Sequence, residues 1–251
     1  MGHYATAQQV WAAALVFSRI GAMLMVMPGV GEANVPPMIR LGFALLLSLV
    51  LGPIAAPTLP AEPVDVSGTA FLIGREALIG VTIGGLLRLF LSSLTATGEF
   101  VSLKTTLAFA QTANPTQAEP GTTISTFLTL LGVTLIFDTN LHRMFIAAMA
   151  HSYTLFPPTH ALPLNDAGAL AARTVGESFG LGLQLAAPVV VFALVFNIAT
   201  GLVGRVMPQF QIFFVASPLT LLLGLSIFAL SLGAIGMIWA NRYQDFLGAF
   251  V

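Results

Sequence analysis

Residues 178–204, SFGLGLQLAAPVVVFALVFNIATGLVG, and residues 206–241, VMPQFQIFFVASPLTLLLGLSIFALSLGAIGMIWAN, carry no charged side chain, and Arg205 stands alone between them. The runs are 27 and 36 residues long. About 20 apolar residues take a helix across the hydrocarbon of a bilayer, so each run is long enough to span and the second is longer than spanning requires. A lone cation between two such runs needs a partner or a purpose.

The rest of the chain has the same character. Hydrophobic residues make up 57% of it and charged residues 8%, with a mean hydropathy of +0.92, against about 25% charged in an ordinary soluble domain. The composition is that of an integral membrane protein. A net charge of -1 leaves no basic footprint for nucleic acid and no polybasic run for anionic lipid surfaces. There is no cysteine, and the four histidines lack the short ligand spacings of a metal site, so neither a disulfide framework nor a metal cofactor is expected.

Six apolar blocks are legible, at about 10–30, 38–60, 68–97, 123–156, 176–204 and 210–240. The first is not preceded by Lys or Arg and is interrupted by Arg19, so it reads as a retained helix rather than an export signal. Val35-Pro36-Pro37, the prolines at 53, 57, 60 and 63, and Phe156-Pro157-Pro158 punctuate the breaks. A closed β-barrel is excluded, because its strands alternate polar and apolar residues whereas these blocks are apolar all round. The expectation is an all-α polytopic membrane protein, a single domain over residues 1–251 with about six helical segments and some broken or re-entrant elements.

Charges inside the blocks cost about 2.5 to 3.5 kcal/mol each in hydrocarbon unless they pair, reach water or face protein. Arg75, Glu76, Asp138 and Arg143 are therefore candidates for buried pairs that hold helices in register, or else for a wet path or partner interface. The nine Lys and Arg are scattered and give no orientation. Gly80, Gly84 and Gly85 mark a close backbone approach to a helix that the sequence does not identify.

Between the third and fourth blocks runs a polar stretch from Glu99 to Gly121, with Asn114-Pro115 and Pro120-Gly121. It does not read as a continuous spanning helix. It is an exposed loop or, favoured by its neutral Gln, Thr and Asn content and by Phe109, a re-entrant plug that closes an opening. The candidate gating residues are Lys104, Phe109, Gln111, Asn114, Pro115, Gln117 and Gly121.

Gly98-Glu99 with its polar turn, Asn114-Pro115, Phe137 to His142, Ser152 to Pro157 and above all Gly204-Arg205-Val206-Met207-Pro208-Gln209-Phe210-Gln211 resemble the FliR family. That is the flagellar biosynthesis component of the type III export gate, equivalent to the T component of injectisomes. The resemblance runs from Arg19-Ile20-Gly21 and Met27-Pro28 to the final helix. Asn140-Leu141-His142 departs from it, since a Gly-Gly pair is expected before the histidine. The resemblance implies a non-enzymatic subunit of the bacterial inner membrane and flagellar basal body. It would join FliP and FliQ homologues in a hetero-oligomeric gate, in contact with the large export-gate protein and FlhB, and would pass unfolded export substrates. In that family the loop matching Lys104 to Gly121 plugs the closed pore. Arg205, with Pro208 and Gln209, is read as an assembly or helix-break element, its guanidinium tied to backbone carbonyls or a partner carboxylate. The alternatives are a secondary transporter coupling through Arg75, Glu76, Glu99 or Asp138, and an intramembrane enzyme using His142 or His151, for which no nucleophile or metal set is in view.

Overall fold

The computed structural model describes residues 7–32, 34–108, 121–159, 164–207 and 212–251. Among them are seven α-helices: α1 (Ala7–Val26), α2 (Pro37–Ala55), α3 (Val66–Lys104), α4 (Thr123–Asp138), α5 (Leu141–Leu155), α6 (Leu164–Val206) and α7 (Ile212–Gly248), with a 3-10 turn at Ala56–Thr58. No strand occurs among the described residues. Five helices are long and apolar enough to cross a membrane, six when the α4–α5 pair counts as one span. The molecule is an all-α polytopic membrane protein.

The fourth apolar block is two helices, bent by 76°. The bend is made by Asn140, whose φ of 61° lies in the left-handed region that Asn tolerates better than most residues. The third block differs from its sequence reading too. Glu99 to Lys104 continue α3 as helix, because no proline intervenes and Glu99 and Ser102 find partners, so α3 runs past the expected end of the third block. Pro53, Pro188 and Pro218 lie inside α2, α6 and α7, which run on past them. At 1.5 Å per residue α3, α6 and α7 are about 58, 64 and 55 Å long, roughly twice the hydrocarbon thickness of about 30 Å.

The chain groups into two compact units. The first comprises Met1–Phe90, Ile136–Thr174 and Tyr243–Val251. Its centre is the contact of α1 with the first half of α3. A Cβ on Gly80 would stand 2.2 Å from the Arg19 carbonyl oxygen and one on Gly84 2.6 Å from that of Met23, so two glycines one turn apart seat α1 directly on the α3 backbone. The neighbour implied by the Gly80–Gly84 spacing is thus a helix of the same chain. Trp11 bonds the Pro60 carbonyl at 3.1 Å, and the buried Tyr243 hydroxyl bonds that of Leu87 at 3.2 Å.

The second unit comprises Leu91–Leu135 and Val175–Arg242. Here the second half of α3 is the axis. A Cβ on Gly182 of α6 would stand 2.8 Å from the Ser93 carbonyl oxygen, and one on Gly224 of α7 would stand 2.6 Å from Thr105 Cγ2. Fully buried Trp239 donates its indole N–H to the Ser93 hydroxyl at 3.1 Å. Small residues set the helix contacts in both units, as expected where lipid removes the hydrophobic drive between helices and close van der Waals contact must hold them.

Candidate functional site

Of the candidate gating residues, Phe109, Gln111, Asn114, Pro115 and Gln117 lie outside the described residues, whereas Lys104 and Gly121 stand on either side of them. Lys104 is exposed in the last turn of α3, where a cation meets the negative end of the helix dipole. Beyond it the Thr105 N–H and hydroxyl both bond the Val101 carbonyl at 2.9 Å, and Thr106 turns the chain with φ 63°. Positive φ at a β-branched residue is strained.

The chain returns at Gly121, whose φ of 119° suits glycine alone. Thr122 follows and is 6% exposed. Its N–H donates to Glu99 Oε1 at 2.9 Å, its hydroxyl oxygen accepts from Ser102 Oγ at 2.8 Å and from the Ser125 N–H at 3.3 Å, and Ser125 Oγ returns a bond to the Thr122 carbonyl at 2.8 Å. Thr122 is the N-cap of α4, and its capping hydroxyl is also sewn to α3. Next to it a Cβ on Gly98 would stand 2.3 Å from Ser125 Cα, so α3 and the start of α4 touch backbone to backbone. Both ends of the segment between Lys104 and Gly121 are therefore fixed on one buried hydrogen-bonded stem. Charge-assisted bonding by Glu99 makes this stem stronger than neutral bonds would.

A second cluster lies in the first unit. Arg19 and Glu76 are both fully buried and form a bidentate pair, Nε to Oε2 at 2.7 Å and Nη2 to Oε1 at 3.1 Å. Arg19 also donates to the carbonyls of Ser152 at 2.8 Å and Phe156 at 2.9 Å and lies 4.2 Å from the centre of the Tyr153 ring. Arg75 donates to the carbonyls of Pro157, at 3.1 Å, and Pro158. Two guanidiniums thus hold the chain that leaves α5, whose carbonyls have no helical partner after the helix ends.

The structure does not bring the four candidate pairing residues together. Glu76 meets Arg19, which the sequence marked as costly without naming its partner, and Arg75 meets carbonyls. Asp138 and Arg143 are exposed at the α4–α5 bend, with no ion pair between them. A further ion pair, Arg88 to Glu32 at 3.9 Å, is partly exposed and is worth about 0 to 1 kcal/mol. Arg205 is exposed in the last turn of α6 and bonds no other described residue through its side chain. Pro208 and Gln209 lie outside the described residues. His142 stacks on Phe137 with ring centres 5.6 Å apart, and His151 Nδ1 lies 3.2 Å from the Phe250 carbonyl oxygen.

These features define a helical membrane protein with a long segment clamped on a polar stem. Residues 10–246 match the family described as bacterial export proteins, family 1. The chain belongs to this family, the family of the flagellar biosynthetic protein FliR. It is 56% identical to the flagellar biosynthetic protein FliR of Caulobacter vibrioides over 250 residues, covering all of both chains. With the FliR of Pectobacterium carotovorum identity is 33% over 83% of this chain and 79% of the relative, and with that of Escherichia coli K12 it is 29% over 84% and 80%.

Proposed function

We propose that this chain is a non-enzymatic core subunit of the flagellar type III export gate in the bacterial inner membrane and basal body. It assembles with FliP and FliQ homologues around a passage for unfolded export substrates and meets the large export-gate protein and FlhB. The segment from Lys104 to Gly121 closes the passage at rest and is moved aside by substrate. The observation that carries this reading is the stem: Glu99 and Ser102 hold Thr122, so the chain enters and leaves the segment at one buried polar junction. Between Lys104 and Glu119 the segment carries no charged side chain, which suits a passage that must release many sequences, because a charged constriction would hold one sign of substrate too tightly. Exposed Arg205 is available at the end of α6 to meet a partner carboxylate.

The alternative of a solute transporter coupled through Glu76 fits poorly with a carboxylate whose two oxygens are both taken by one buried arginine. The test is deletion of residues 110–119 in cells carrying the whole apparatus. The complex, isolated in mild detergent and weighed by native mass spectrometry, is expected to keep its composition while the membrane becomes leaky to ions. An intact complex that does not conduct would overturn the plug, and a chain found with no partner would overturn the gate.

A further inference from the structure

We draw no further inference here: the strongest candidate, the apolar cleft of the first unit between α1, α2, the end of α4 and α5, lined by Leu24, Phe43, Phe145 and Met149 among others, is an unpartnered apolar surface, and nothing in the structure shows what covers it.

Discussion

A Cβ on Gly98 would stand 2.3 Å from the Cα of Ser125, closer than real Cβ atoms come to any atom. Backbone cannot move aside as a side chain can. Gly98→Ala is therefore expected to push α4 off α3, at a cost of about 1 to 3 kcal/mol or more. The control is Gly85→Ala on the same helix, where the added methyl meets nothing within 4 Å and should be neutral or stabilising by up to about 1 kcal/mol. Thermal unfolding in detergent, followed by the fluorescence of Trp11 and Trp239, distinguishes the two, and equal melting temperatures would contradict the contact.

Glu99 holds the Thr122 N–H at 2.9 Å, and removing an ionised acceptor from a half-buried bond costs about 1.5 to 3 kcal/mol. Glu99→Ala should loosen the stem without unfolding either helix, and Glu99→Gln, which keeps an oxygen acceptor but not the charge, should lie between. Hydrogen exchange at amides 121–125 reads this directly. Unchanged protection in the alanine variant would mean that Ser102 and the Thr122 cap hold the stem by themselves.

How much of this was legible in the chain depends on the reach of each signal. The spans follow from composition and run length, which local sequence contains in full. The bend at Asn140 carries no proline or glycine, and Glu99 to Lys104 look like loop because their polarity is local while their partners, Thr122 among them, arrive from beyond the segment. Glycine spacing announced a close contact but could not say with what. The partner of Glu76 lies 57 residues away, although one pairing could have been rejected in advance. Arg75 and Glu76 are neighbours on a helix, and neighbours point in different directions.

Asp65 caps the first turn of α3, outside the spanning part. Ser67 donates its hydroxyl to the carboxylate and the Gly68 N–H donates at 2.9 Å, and these two bonds hold the Asp65 carboxyl below the ordinary carboxylate range. A folded-state pKa below the unfolded one contributes stability that is present above the unfolded value of about 3.9 and is lost as pH falls through the folded value. Amides 66–69 should thus exchange faster in Asp65→Ala than in wild type at pH 6, and the difference should shrink below about pH 4 as the carboxylate takes up its proton. Asp65→Asn keeps an acceptor for the cap and should lose the pH dependence but not the protection. A difference that persists unchanged through acid would show that the charge plays no part.

The Arg19–Glu76 pair is buried completely, so removing one partner strands the other in a medium that cannot solvate it. Arg19→Ala and Glu76→Ala are each expected to cost about 3 to 5 kcal/mol. The double replacement Arg19→Met with Glu76→Leu leaves no stranded charge and would be near neutral if the pair acted only on itself. It does not, because Arg19 also donates to the Phe156 carbonyl, and an orphaned acceptor there costs about 1 to 3 kcal/mol. The double variant should therefore melt above both single variants and below wild type. A double variant as stable as wild type would mean that holding the end of α5 is not a duty of Arg19. One destabilised by the sum of the two single effects would mean that the two charges are not coupled at all.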